Sequence, residues 1–122
     1  MTRRRILFCD DDPDIREIIT LSLGLDPTLD VKACATAGEV PAIAAAWVPD
    51  LILLDVMMPG MDGPTTLAVL HDDTRTRTIP VLFMTARTQA YEFERLVALG
   101  AAGVIAKPFD PMTLASVVSS YI

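Results

Sequence analysis

The chain has 122 residues, 52% of them hydrophobic and 21% charged, which is enough apolar material for one packed domain and too few residues for two. Ten Lys and Arg against sixteen Asp and Glu leave a formal net charge of −6, which excludes a general attraction to nucleic acid or anionic lipid. The longest unbroken apolar run, Ala42 to Val48, falls far short of the roughly 20 residues a transmembrane helix needs, and no apolar stretch of signal-peptide length follows Arg3-Arg4-Arg5. A cytoplasmic domain spanning 1–122, with no effector domain, is expected.

Short apolar runs alternate with helical patterns five times, the signature of a parallel sheet flanked by helices. Ile6-Leu7-Phe8-Cys9 reads as a strand buried on both faces and ends in Asp10-Asp11-Asp12. Pro13 opens a helix with Ile15, Ile19 and Leu23 on one stripe and Asp12 as its N-cap. Val31 to Ala35 is a second strand, nearer an edge because Lys32 interrupts it. A second helix runs from about Gly38 with Val40, Ile43, Ala44 and Trp47 inward, and Pro41 requires that it sit in the first turn. Leu51-Ile52-Leu53-Leu54 is the most apolar strand and ends at Asp55. The loop Met58 to Pro64 leads to a short helix carrying Leu67 and Leu70. Pro80 to Met84 is the fourth strand, ending in Thr85-Ala86, and a helix with Phe93, Leu96 and Val97 on one face follows until Gly100. Val104-Ile105-Ala106 is the fifth strand, ending at Lys107-Pro108. Asp110-Pro111 then starts a last helix with Leu114, Val117, Val118 and Tyr121 in register.

Ligands of open parallel sheets bind at the carboxyl ends of the strands. Here those ends carry Asp10-Asp11, Asp55, Thr85 and Lys107. Twelve of the sixteen acids are aspartates and only Lys32 and Lys107 are lysines, so three convergent carboxylates need a compensating cation. Lys107 supplies one charge, and hard oxygen donors at a wet site suit Mg2+ better than calcium or zinc. His71, the only histidine, is expected to face solvent near a helix end, which removes histidine-based nucleophilic catalysis. Cys9 and Cys34 sit in apolar runs and read as buried reduced thiols. A metal, a carboxylate, a hydroxyl and a lysine are together the parts for phosphoryl transfer to an aspartate. No GxxxxGKS/T or GxGxxG loop follows the first strand, so the donor must bring its own phosphoryl group.

Four segments in order, Ile6 to Asp12, Leu51 to Gly63, Pro80 to Ala86 and Gly100 through Lys107-Pro108-Phe109, resemble the receiver domain of bacterial two-component response regulators, the CheY-like fold. The resemblance covers essentially the whole chain. It implies a doubly wound (βα)5 fold with strand order 2-1-3-4-5, and Asp55 as phosphoacceptor. It further implies Asp11 as a direct Mg2+ ligand, Asp10 as a ligand at least through water, and the Met57 backbone carbonyl as a third protein contact. Thr85, Lys107 and Ala86 would meet the phosphoryl oxygens, and Lys107-Pro108 would be a cis peptide. The implied partners are a sensor histidine kinase or histidine phosphotransferase and a downstream protein recognising the face built by the fourth helix, fifth strand and fifth helix, with no direct nucleic-acid or membrane contact. Where the family usually carries a switching aromatic this chain has Val104, and Met57 and Arg87 flank the approach of water. For Arg87 three readings stand open: a solvated side chain, a salt bridge to a neighbour, or a shield over the phosphoryl group.

Asp12, Asp50, Asp62 and Asp110 read as caps or turn residues, and Tyr91, off the apolar stripe, is a candidate partner contact. A Mg2+-dependent aspartyl-phosphate hydrolase of the haloacid dehalogenase type is the alternative function: Asp10 and Asp12 have its spacing, but 122 residues leave no room for its cap domain. A flavodoxin-like FMN carrier fails because three aspartates in the first loop would repel the FMN phosphate.

Overall fold

A computed structural model of the chain describes residues 3–122; Met1 and Thr2 of the expected domain lie outside the described residues. Five parallel strands, β1 (Arg4–Cys9), β2 (Leu29–Cys34), β3 (Leu51–Asp55), β4 (Val81–Thr85) and β5 (Gly103–Ala106), form one sheet in the order β2-β1-β3-β4-β5. The helices are α1 (Pro13–Leu23), α2 (Val40–Trp47), α3 (Gly63–Asp72), α4 (Ala90–Ala98) and α5 (Leu114–Ser119). This is the expected doubly wound arrangement.

Two core layers follow from strand alternation. One face of β1 and β3, with Ile6, Phe8, Leu51 and Leu53, packs with Ile19 and Leu23 of α1 and Leu114 and Val118 of α5. The other face, with Leu7, Cys9, Ile52 and Leu54, packs with Val40 and Ala44 of α2, Leu67 and Leu70 of α3 and Leu96 of α4. Every residue of β3 and β4 is buried, which is why both strands read as unbroken apolar runs rather than alternating ones.

Local chemistry sets the joints. Asp12 caps α1 by accepting the Asp14 N–H at 2.9 Å, and Asp62 caps α3 by accepting the Thr65 N–H at 2.8 Å. Pro13, Pro41 and Pro64 all occupy first-turn positions. Asp50 takes the Arg5 N–H at 2.8 Å and Asp110 the Met112 N–H at 2.9 Å, both turn roles as expected.

Four details differ from expectation. The segment from Ala37 to Glu39 is a 3-10 turn, and α2 proper begins at Val40. Val97 is 52% exposed, and the buried side of α4 is Leu96 together with Glu92, whose carboxylate meets Arg95 at 3.3 Å. Asp110-Pro111 leads into a turn, with the Asp110 carbonyl accepting the Leu114 N–H at 3.1 Å, so α5 starts only at Leu114 and leaves Val117 and Tyr121 on the surface. His71 is half-buried rather than solvent-facing, because it packs on Gly100, where a Cβ would lie 2.6 Å from its ring.

Candidate functional site

The carboxyl ends of β1, β3, β4 and β5 deliver the site. Asp10 follows β1 and is 1% exposed. Its Oδ1 accepts the Asp12 N–H at 2.9 Å and its backbone carbonyl accepts from the Arg16 guanidinium at 2.8 Å, so the first turn of α1 fixes its direction. Asp55 closes β3 and is 9% exposed, with Oδ1 accepting the Met57 N–H at 3.3 Å. Asp11 is exposed at the rim. Oxygens of Asp10, Asp11 and Asp55 all lie within 4.8 Å of one another.

Lys107, just beyond β5, reaches across to these groups. Its Nζ donates to Asp55 Oδ2 at 2.9 Å and to Asp10 Oδ2 at 3.1 Å. Burial alone would lower the Lys107 ammonium, but the hydrogen bonds it donates to Asp55 and Asp10 outweigh this and hold it above its ordinary value. For Asp55 the balance goes the other way. Burial pushes its carboxyl above the usual carboxylate range, and the Lys107 hydrogen bond and charge offset this only in part.

Thr85 ends β4 and is 3% exposed. Register places Asp55 beside Met84 and Thr85 beside Ala106, and the Thr85 carbonyl accepts the Lys107 N–H at 2.8 Å, so Thr85 and Lys107 are locked to each other by the ladder. The Thr85 hydroxyl oxygen accepts the Arg87 N–H at 3.0 Å, which leaves its own hydrogen to donate outward. Ala86 is exposed beside it, and Met57 is 65% exposed beyond Asp55. The Arg87 guanidinium sits 3.8 Å from Glu92. Val104 is half-buried against the core layer beneath α4. The Lys107-Pro108 peptide is cis, as expected.

Sequence reasoning missed two features. Gly63, the first residue of α3, passes so close to the site that a Cβ would lie 2.7 Å from Phe83 Cε1 and 2.9 Å from the Asp55 carbonyl oxygen. The Gly-Pro that opens the helix was a visible turn signal, but the close approach is a tertiary fact. The second is an apolar groove of about 350 Å³ between α1 and the loop after β5, lined by Ile15, Ile18, Ala86, Lys107, Phe109 and Pro111 among others.

The three-carboxylate cluster offers only hard oxygen donors, with neither histidine nor cysteine among them, and so fits a hard divalent cation. The arrangement is an acidic cluster with Asp11 at the exposed rim and two buried carboxylates, Asp10 and Asp55, that share one ammonium.

The family model of the response regulator receiver domain matches residues 6–119. Among curated proteins, the chain is 39% identical over 106 residues to the DNA-binding dual master transcriptional regulator RpaA of Synechocystis sp., covering 87% of this chain and 44% of that protein. It is 38% identical over 111 residues to the phosphate regulon transcriptional regulatory protein PhoB of Escherichia coli, covering 91% of this chain and 48% of that one. The chain thus spans about half the length of the curated relatives it matches. Among solved structures, chemotaxis response regulator CheY4 of Vibrio cholerae superposes with a TM-score of 0.90 at 29% identity, covering 99% of this chain and 100% of that one. A response regulator from Desulfuromonas acetoxidans gives 0.84 at 27% identity, with 96% and 94% covered.

Proposed function

The chain belongs to the response regulator receiver domain family, a module of two-component signalling, and from that premise we propose that Asp55 is its phosphoacceptor. The observation that carries this reading is the Lys107 ammonium held between Asp55 and Asp10 at 2.9 and 3.1 Å, with Asp11 beside them. A carboxylate so placed is buried enough to exclude bulk water and faces a cation that can follow the charge as it moves onto the phosphoryl oxygens.

In the proposed reaction a carboxylate oxygen of Asp55 attacks phosphorus in a phosphohistidine of a histidine kinase or histidine phosphotransferase. The P–N bond breaks and the departing imidazole takes up a proton. Lys107 binds one phosphoryl oxygen, the Thr85 hydroxyl donates to another, and Ala86 lies beside them. Asp10, Asp11, Asp55 and the Met57 carbonyl would hold Mg2+, which when bound neutralises charge on the entering phosphoryl oxygens. The apolar groove beside Lys107 gives a protein donor a footing next to Asp55. In this reading the site is a signalling module that catalyses its own phosphoryl transfer to Asp55 and its own dephosphorylation. The output is a change in the face made by α4, β5 and α5, read by a downstream protein.

The hydrolase alternative needs Asp12 as an acid, and that carboxylate is already engaged in capping α1. Intact-mass analysis after incubation with acetyl phosphate and Mg2+ tests the proposal: one phosphoryl group on the wild type and none on Asp55→Asn is expected. Undiminished labelling of that variant overturns it.

A further inference from the structure

Both cysteines of the chain end strands that lie side by side. Cys9 closes β1, Cys34 closes β2, and the two are Cα partners in the parallel register. Directly paired residues send their side chains to the same face of a sheet, and both thiols lie in the core layer that packs with α2 and α3. Neighbouring strands run about 4.8 Å apart, inside the roughly 4.4–6.8 Å between Cα atoms that a disulfide spans.

Little holds the sulfurs elsewhere. Cys9 Sγ points to Met58 Sδ at 3.7 Å and Cys34 Sγ to the Thr36 carbonyl at 3.7 Å, both weak contacts. Access is unequal, since Cys9 is 2% and Cys34 7% exposed, and Cys34 lies at the end of an edge strand, where the ladder opens at least cost.

We propose that Cys9 and Cys34 are a reactive dithiol that closes to an intramolecular disulfide in the folded domain when a peroxide is the oxidant, and reopens with a thiol reductant. The Cys34 sulfur attacks one oxygen of hydrogen peroxide, the O–O bond breaks, and a sulfenic acid and one water result. The Cys9 sulfur then attacks the Cys34 sulfur. The S–O bond breaks, and the departing hydroxide leaves with the Cys9 proton as a second water. Two thiols are oxidised by two electrons in total and one peroxide is reduced. Paired strands about 4.8 Å apart keep the two Cβ atoms beyond the roughly 3.8 Å of a relaxed disulfide, so closing the bond strains the ladder and leaves it readily reduced. The crosslink would sit beside the acidic cluster, because Asp10 directly follows Cys9 and its N–H donates to the Cys34 carbonyl at 3.3 Å. It does not depend on the phosphoacceptor reading.

Wild-type protein treated with hydrogen peroxide in native buffer, then alkylated, digested and mapped, gives the decisive result. Expected are an intact mass lower by two hydrogens, a single linked peptide pair joining Cys9 to Cys34, a monomer on a non-reducing gel, and full recovery of both thiols with dithiothreitol. The circular dichroism of the folded domain should persist throughout. Cys34→Ser should form no intramolecular link, but the assignment rests on the wild-type map and survives a poorly folding variant. Thiols that stay fully alkylatable after peroxide, a link that forms only in urea, or a link between two chains would each overturn the proposal.

Discussion

Lys107 and Asp55 stand 52 positions apart in the chain and 2.9 Å apart in the fold, joined across the end of β4. The same ammonium also holds Asp10, so one cation balances two carboxylates that would otherwise face each other in a largely dry place. Lys107→Ala leaves both unmatched. It should lower stability in EDTA at neutral pH by about 1–3 kcal/mol, below the full cost of breaking a deeply buried pair because the lysine side chain is 20% exposed. Denaturant melts with and without Mg2+ check this, and the metal should recover more stability in the variant than in the wild type.

Asp11 contributes to the cluster from an exposed position. Removing it relieves repulsion without uncovering the core. Asp11→Ala should melt higher than wild type in EDTA and lose most of the stabilisation that Mg2+ gives. A variant that melts lower without metal would contradict this account of the cluster.

The raised Asp55 carboxyl fixes the sign of a pH effect. The folded state holds this proton more tightly than the unfolded chain, whose value is near 3.8. The contribution of Asp55 to stability is therefore full below 3.8 and is lost as pH rises through the higher folded value. Asp55→Asn should then be more stable than wild type at neutral pH in EDTA, with the difference shrinking as pH falls through that window. Carboxyl-carbon NMR titration should place Asp55 above 3.8 and Asp73, held down to about 2 by Arg75, below it. Protons compete with the cation at Asp55, so Mg2+ affinity should weaken over the same window.

Much of this site was legible in the sequence because buried parallel strands announce themselves. Leu51 to Leu54 is apolar throughout since both its faces are covered, and the residue that ends such a run must stand at the sheet's carboxyl edge, as Asp55 does. Periodicity failed where a polar group takes an inward place. In α4 Glu92 turns in, paired with Arg95, and the buried stripe shifts away from Val97. It failed also where backbone, not side chain, makes the contact. Gly63 is needed because Phe83 and the Asp55 carbonyl crowd its α-carbon, which only the assembled fold can show. Gly63→Ala should cost about 1–3 kcal/mol by overpacking and, by pushing on the backbone of Asp55, slow phosphoryl uptake from acetyl phosphate.

Phosphorylation of Asp55 should be felt at α4. A phosphoryl group on Asp55 adds charge and acceptor oxygens, and the Thr85 hydroxyl has a hydrogen free to meet them. Thr85 is not an isolated hydroxyl. Its oxygen takes the Arg87 N–H, the Arg87 guanidinium lies 3.8 Å from Glu92, and Glu92 is the buried carboxylate of α4 that also holds Arg95. Drawing Thr85 toward Asp55 therefore pulls on the loop that enters α4 and on the ion pair that seats its first turn. Val104, half-buried against the core layer, carries no ring that could swing. Population shift requires different contacts in the two states, and this chain of contacts supplies them. Thr85→Ala should still take phosphate on Asp55 yet lose most of the amide-exchange change across Arg87 to Leu99 and Val104 to Ala106 that beryllofluoride induces in the wild type. Val104→Ala should keep it. Glu92→Gln should dampen the change in α4 while leaving labelling of Asp55 intact. If the exchange change survives Thr85→Ala unaltered, the hydroxyl is not the coupling element, and the signal must leave the site through Lys107 and β5 instead.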